Sequence, residues 1–239
     1  MVFIRITGAA LLALSLSACV ATTAENAPND PFEKQNRAMF ATDQWLDRNV
    51  VYPSAVAYAA LVPPKARDRV HDFLDNLSEP VTFANDVLQG EFDRASQTLW
   101  RFSANSTFGL AGFFDIATGA GVPGHSEDFG QTLAVWGVPD GYYLVLPMFG
   151  PSNQRDTVGL VADVYLDPFT YIRMKQHIWW QGARMYGGYL DVRARNLNTL
   201  TGIERGSVDY YASVRSLYRQ SRKDAIANGK TDTKDLPDF

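Results

Sequence analysis

Residues with chemistry within reach are few and thinly spread. The three histidines, His71, His125 and His177, stand far apart, and no His-Glu-x-x-His occurs to set two imidazoles on one helix face beside a general base. Each histidine therefore reads as a surface or helix-face residue. Gly124-His125-Ser126-Glu127-Asp128 brings together a hydroxyl, an imidazole and two carboxylates. Neighbours along a loop do not make the nucleophile–base–orienter geometry of a triad, so the stretch reads as a polar, solvated loop. The Gly-x-Ser-x-Gly turn that exposes the serine of acyl hydrolases is missing. So is the phosphate-cradling Gly-x-x-x-x-Gly-Lys-[Ser/Thr] loop. With a single cysteine, neither an intramolecular disulfide nor a multi-cysteine zinc site can form. The sequence thus offers no catalytic residue and no metal ligand set.

That single cysteine, Cys19, carries the one modification the sequence predicts. Residues 1–18 hold one positive charge at Arg5, a short apolar run and small residues at the end, the pattern of a secretory signal peptide too short for a mature membrane span. Leu16-Ser17-Ala18-Cys19 resembles the bacterial lipobox, which implies diacylation of the Cys19 sulfur and, after cleavage, a third chain on its amine. Each buried methylene contributes about 0.8 kcal/mol, so two or more chains anchor stably. Val20, in place of the Asp that marks inner-membrane retention, implies the outer membrane. Residues 19–29 then form a short lipid-anchored tether of small and polar residues.

What must be positioned is a chain of 239 residues, 46% hydrophobic and 20% charged, with a net charge of −4. These values fit a globular protein and give no electrostatic footprint for nucleic acid. The aromatic share of 13% is high, as at water–lipid boundaries or in an aromatic core.

The segment from Asp128 to Asp156 organises the reading. Gly137, Pro139, Gly141, Pro147 and Gly150 interrupt it too often for a long helix, yet Leu144, Val145, Leu146, Met148 and Phe149 need a dry environment. Two readings follow: a core-crossing loop with a short extended piece at Tyr142 to Leu146, or an apolar loop lining a lipid path.

Elsewhere the pattern is helical. Asp30-Pro31-Phe32-Glu33 predicts a capped helix to about Val50. A short apolar piece spans Ser54 to Val62. From Lys65, Val70, Phe73, Leu74 and Leu77 recur at helical spacing. Ser78-Glu79-Pro80 predicts a fresh start capped by Ser78, with Val81, Ala84, Val87 and Leu88 facing inward and Gly90 as its stop. A further helix from Glu91 to about Asn105 carries Phe92, Ala95, Leu99 and Phe102 on one stripe. Leu110 to Thr118 reads as an all-round apolar helix, buried or lying in lipid.

Helices are expected again from Asn153 to Tyr165, from Asp167-Pro168 to about Leu200, and from Gly206-Ser207 onward. A bend or close packing is expected at Gly182, Gly187 and Gly188 in the second of these. The last carries Arg215, Arg219, Arg222 and Lys223 toward its end, where the dipole favours cations. The class is all-α, one domain over residues 30–228, with a polar tail from 229 to 239.

Read in order, Asp30-Pro31-Phe32-Glu33 with Asn36-Arg37, Asn76 to Pro80 with Asn85 and Leu88-Gln89-Gly90, Arg101-Phe102 with Asn105-Ser106-Thr107 and Gly109, Gly112, Asp115, Asp128 to Leu133, Trp136-Gly137, Gly141-Tyr142, Leu146-Pro147, Gly150-Pro151-Ser152 and Arg155-Asp156 form an ordered set. This set resembles the MlaA (VacJ) lipoprotein family. The resemblance implies a ring of helices around a central amphipathic channel in the inner leaflet of the outer membrane, held by the lipid on Cys19 and facing the periplasm. It also implies phospholipids taken from the outer leaflet, a periplasmic carrier of the MlaC type, a trimeric porin as neighbour, and no catalysis or cofactor beyond the covalent lipid. Leu144, Val145, Leu146, Pro147, Met148 and Phe149 become the expected loop at the lipid path. The run Ala38 to Gln44 departs from the family pattern, so no role is carried onto it. A non-transporting scaffold beside a porin and a lipid hydrolase remain as alternatives.

Overall fold

The computed structural model describes residues 30–172 and 177–228. The signal peptide, Cys19, the tether and the tail from residue 229 lie outside the described residues. The elements are α1 (Glu33–Leu46), a π-helical turn (Asp47–Val51), α2 (Tyr52–Leu61), α3 (Pro64–Gln89), α4 (Phe92–Thr107), α5 (Ile116–Gly119), α6 (Phe129–Val135), β1 (Tyr143–Leu146) and β2 (Gly150–Asn153). There follow α7 (Gln154–Leu166), a 3₁₀ turn (Pro168–Tyr171), α8 (His177–Arg195), α9 (Leu197–Gly206) and α10 (Tyr210–Ile226). The chain is mainly helical, as expected, with one antiparallel hairpin pairing Tyr143 with Asn153 and Leu146 with Gly150.

Several local expectations are corrected. Asp30 does not cap α1. Its buried carboxylate accepts from Asn36 Nδ2 (2.8 Å), Tyr211 Oη (2.5 Å) and Arg215 Nη1 (2.6 Å), tying the start of the domain to α10. Pro80 does not restart a helix: α3 runs unbroken for 26 residues with the proline inside it. Ser78, expected as a cap, donates its hydroxyl to the Leu74 carbonyl one turn back (3.2 Å). An interior proline costs about 3 kcal/mol, and here the packing of α3 along α4 offsets it. Pairings of residue 76 with 106, 79 with 101 and 86 with 98 make the two helices antiparallel.

Leu110 to Thr118 is not a helix. Leu110 and Ala111 adopt φ of 53° and 60°, Gly112 follows at 95°, and regular structure resumes only with α5. A Cβ on Gly112 would sit 2.5 Å from that of Asn76, so this turn depends on glycine to approach α3. The long helix expected after Asp167-Pro168 is divided. Asp167 does cap, accepting from Phe169 N (2.9 Å), but it starts only the 3₁₀ turn. A break at Asn196 then separates α8 from α9. Close packing at Gly182, Gly187 and Gly188 is absent: a Cβ on any of them would meet open space. The cap of α10 is Asp209, which receives Ala212 N (3.1 Å), rather than Gly206-Ser207.

The largest correction concerns which faces point inward. On α3, Val87 and Leu88 are exposed, whereas Thr82, Asn85 and Asp86 are buried, the last two completely. On α4, Phe92 and Leu99 are exposed, while Ala95, Thr98, Arg101, Ala104 and Asn105 are buried. A compact apolar cluster does exist: Tyr143, Val145 and Tyr211, with Met39, Phe40 and Tyr218 against them. It joins the hairpin to α1 and α10.

Candidate functional site

Among the described residues, 18 polar or charged side chains are buried against 10 apolar ones, and 35 large hydrophobic or aromatic residues are exposed. Water solvates such a surface badly. Exposed apolar area on this scale marks contact with lipid or with another protein. Among the described residues no helix is long and apolar enough to cross a membrane. The exposed apolar side chains are spread along the chain, Trp45, Phe108, Leu110, Trp136 and Trp179 among them.

The interior is held by hydrogen bonds rather than by grease. Arg101 on α4 donates to Glu79 (2.8 Å), Asp115 (3.2 Å), Thr118 Oγ1 (3.0 Å) and the Val122 carbonyl (2.6 Å). Burial pushes the Glu79 carboxyl up, and the guanidinium pulls it partly back. Asn85 donates to Asp163 (3.0 Å) and accepts from Thr132 (2.8 Å), while the Phe129 amide donates to both Asp163 oxygens at 3.1 Å. One asparagine thereby locks α3, α6 and α7 together. Arg222 on α10 grips Asp128 with two hydrogen bonds (2.5 and 2.6 Å) and lies 2.7 Å from Asp156. Burial works to raise the Asp128 carboxyl, but Arg222 together with the hydrogen bonds from Gln131 outweighs it and leaves the carboxyl below its ordinary value.

The polar stretch around His125 is not a solvated loop. Glu127 is buried and receives Arg94 Nη2 (2.6 Å) and Gln89 Nε2 (2.9 Å). His125 Nε2 lies 3.0 Å from both Asp86 oxygens and 3.3 Å from Thr98 Oγ1. Asp86, His125 and Glu127 converge closely enough to be compared with a metal ligand set. However, Arg94 already bonds one carboxylate and stands 3.7 Å from the other, so its positive charge occupies the role of a cation. Ser126 is exposed, outside this network, and forms no triad with His125.

The hairpin is fastened from α1. Asn36 donates Nδ2 to the Tyr143 carbonyl (3.0 Å) and accepts from Val145 N (3.0 Å), matching the backbone of β1 as another strand would. At the turn Met148 adopts φ 67° and donates its amide to Asp43 Oδ1 (2.9 Å). Of the predicted loop residues, Val145 is buried, Leu144 and Leu146 are half-buried, and Pro147, Met148 and Phe149 are exposed. A cavity of about 270 Å³ opens beside this turn. Its wall takes Gly150 and Pro151 from the hairpin, but none of the six predicted residues.

The cavity is lined instead by Phe40, Asp43, Gln44, Asp47, Arg48, Tyr189, Val192, Arg193, Leu200, Glu204, Tyr210 and Val214. Two ion pairs cross it: Arg193 with Asp47 (2.9 and 3.0 Å) and Arg48 with Glu204 (2.5 Å). The wall is therefore amphipathic, charged pairs set among aliphatic and aromatic side chains. Sequence reasoning missed these residues, and Phe40, Asp43 and Gln44 fall in the very run that was set aside. The available signal was Asp43 and Asp47, one helical turn apart, the first on α1 and the second opening the π-helical turn.

The model of the MlaA lipoprotein family matches residues 28–225. The chain belongs to that family. Among its relatives, the "Intermembrane phospholipid transport system lipoprotein MlaA" of Haemophilus influenzae is 33% identical over 96% of this chain and 94% of that protein. The protein of the same description from Escherichia coli is 33% identical over 95% and 90%. A protein of Rickettsia bellii is 34% identical over 82% of this chain and 76% of its own length. A solved structure described as the "structural basis for maintenance of bacterial outer membrane lipid asymmetry" superposes with a TM-score of 0.75 at 31% identity, over 83% of this chain and all of that one. Of the residues that carry the resemblance to this family, Asn36, Asn76, Glu79, Asn85, Arg101, Asn105, Gln131, Thr132 and Arg155 are buried polar side chains.

Proposed function

We propose that this chain is a phospholipid-transport lipoprotein of the outer membrane and not an enzyme. In this reading, acyl chains on Cys19 hold it to the inner leaflet, facing the periplasm. Phospholipids misplaced in the outer leaflet pass through the amphipathic cavity between α1, the hairpin, α8, α9 and α10. A periplasmic carrier of the MlaC type receives them, and a trimeric porin is the neighbour against the exposed apolar face. The turn formed by residues 144–149 stands at the edge of this path and gates it.

The observation that carries the reading is the inverted polarity, a hydrogen-bonded polar interior with apolar side chains outside, combined with a cavity lined by ion pairs. Moving a headgroup through hydrocarbon is slow because its polar groups lose their partners there. A polar-lined path removes that barrier while acyl chains stay in the apolar phase. Such a conduit needs no nucleophile, base or metal.

The test is the amount of phospholipid at the cell surface in a strain lacking the chain, read with an impermeant amine-reactive label for phosphatidylethanolamine. Surface label should rise several-fold and return to normal on complementation. Unchanged label, with the protein still recovered beside a porin, would favour a scaffold. Release of fatty acid or lysolipid by the purified protein would favour a hydrolase.

A further inference from the structure

The turn between β1 and β2 holds a conformation that its own residues do not favour. The Phe149 amide donates to the Leu146 carbonyl (3.2 Å), which makes Pro147 and Met148 the two central residues of a β-turn. The proline ring fixes φ at about −65° at the first. Met148 follows at φ 67°. A positive φ at that second position belongs to the turn type that ordinarily places Gly or Asn there, whereas the commonest type has φ of about −90° and accepts most residues. The two types differ by rotation of one peptide group, the one joining Pro147 to Met148. That peptide carries the Met148 N–H, which donates to Asp43 Oδ1 (2.9 Å).

We propose that Asp43 is a positioning residue: its carboxylate fixes the Pro147–Met148 peptide in this orientation and so keeps the turn clear of the amphipathic cavity. The consequence for lipid rests on the transport reading above; the hold on the turn does not. The second oxygen of Asp43 is buried with no hydrogen-bond partner among the described residues, which leaves the Met148 amide as the donor this carboxylate serves. A bond to an ionised acceptor is stronger than one between neutral groups, and here it opposes the strain at Met148.

The geometry connects this bond to the cavity and separates it from folding. Asp43 lines the cavity, as do Gly150 and Pro151 immediately after the turn, while residues 144–149 stay outside the wall. One helical turn beyond Asp43, Asp47 pairs with Arg193 of α8, so successive carboxylates hold two sides of the opening. The strands themselves do not depend on Asp43. Asn36 bonds the backbone at Tyr143 and Val145, and both side chains pack with Tyr211. Loss of the Asp43 carboxylate therefore releases the turn alone. The peptide rotates, Met148 returns to negative φ, and the exposed Met148 and Phe149 side chains are no longer held off the rim.

The experiment reads amide exchange across the turn in the full lipidated protein in uncharged detergent, and surface phospholipid label in cells carrying the same variants. Asp43→Ala removes the acceptor, and Asp43→Asn keeps one carbonyl oxygen. Asp43→Ala combined with Met148→Gly still lacks the bond but makes the positive φ accessible without strain. Asp43→Ala should speed exchange at Met148 several-fold and raise surface label several-fold, with folded protein recovered in normal amount. Asp43→Asn should fall between it and the wild type. The combined variant should keep the fast exchange yet bring surface label most of the way back, a rescue that a wall charge or a general folding role would not produce. Unchanged exchange at Met148, normal surface label despite faster exchange, loss of folded protein, or no rescue by glycine each overturns the assignment. A strain lacking the whole chain but showing no rise in label removes the transport reading, while faster exchange in Asp43→Ala keeps the hold on the turn, so the two fail separately.

Discussion

The Arg101 guanidinium and the Glu79 carboxylate meet at 2.8 Å with only 5% and 6% of their side chains exposed. This pair crosses from α4 to α3 in the interior, and Arg101 extends it to Asp115, Thr118 and Val122. Two helices and the irregular segment that follows them thus share one cation. Removing one member of a buried pair leaves the other unsolvated, at a cost of roughly 3–5 kcal/mol. Arg101→Met should therefore lower stability by about that amount in detergent, measured by chemical denaturation, and should loosen residues 112–122 in hydrogen exchange. Glu79→Gln keeps a hydrogen-bond acceptor and should cost less. Equal costs for the two variants would mean that the charge of Glu79 matters little.

A different sensitivity follows from Asp209, which caps α10 and receives Arg37 Nη2 at 2.6 Å. The hydrogen bond from Arg37 lowers this carboxyl from 3.8 to about 2. Its folded value lies below its unfolded one, so the unfolded chain binds more protons in that interval. The contribution to stability is complete above about pH 4 and is lost as the pH falls toward 2. Both partners are over 40% exposed, so solvent screening limits the contribution to about 1 kcal/mol or less. Denaturation curves of the wild type and Asp209→Asn should converge by about pH 2 and separate at pH 5. A separation that persists undiminished at pH 2 would assign the effect to capping alone.

Helix content, the helix start near Asn153, the Asp167 cap, the Gly90 stop and the extended piece before Pro147 were legible because each depends on neighbours in sequence. Asp30 was not: its partners Tyr211 and Arg215 are more than 180 residues away, and locally it looks like any helix cap. Pro80 misled for a similar reason, since the bonds of Asn76, Glu79 and Asn85 that keep α3 continuous are made to other elements. The faces of α3 and α4 were assigned by sending apolar residues inward, a rule that presumes water outside. Where Val87, Leu88, Phe92 and Leu99 face a nonaqueous neighbour, that rule inverts. The amphipathic periodicity was visible, but its sign depends on the solvent, and periodicity carries no information about solvent.

Cys19→Ala should leave the protein without acyl chains. At about 0.8 kcal/mol per buried methylene, the lost chains represent most of the anchoring energy available to a chain with no spanning helix among its described residues. Membrane fractionation should show the variant shifted largely to the soluble fraction, with any remainder released by carbonate. Normal retention of the variant would mean that the exposed aromatic surface anchors by itself and that the acyl chains are dispensable.

The hairpin turn offers the sharpest test of the path. Met148 is 52% exposed, and its amide is held by Asp43, a wall residue of the amphipathic cavity. Val145, three residues earlier, is buried in the cluster with Tyr143 and Tyr211. A charge at the two positions therefore has different consequences. Met148→Asp, or Leu146→Asp on its half-buried neighbour, should leave the fold intact and raise surface phospholipid several-fold, because a carboxylate at the rim opposes acyl-chain passage. Val145→Asp places an unpaired charge in a packed site and should lower the yield of folded protein. The comparison separates gating from folding: if Met148→Asp and Leu146→Asp both fold and clear surface lipid like the wild type, the turn only closes the hairpin, and the path runs along α1 and α8 without it.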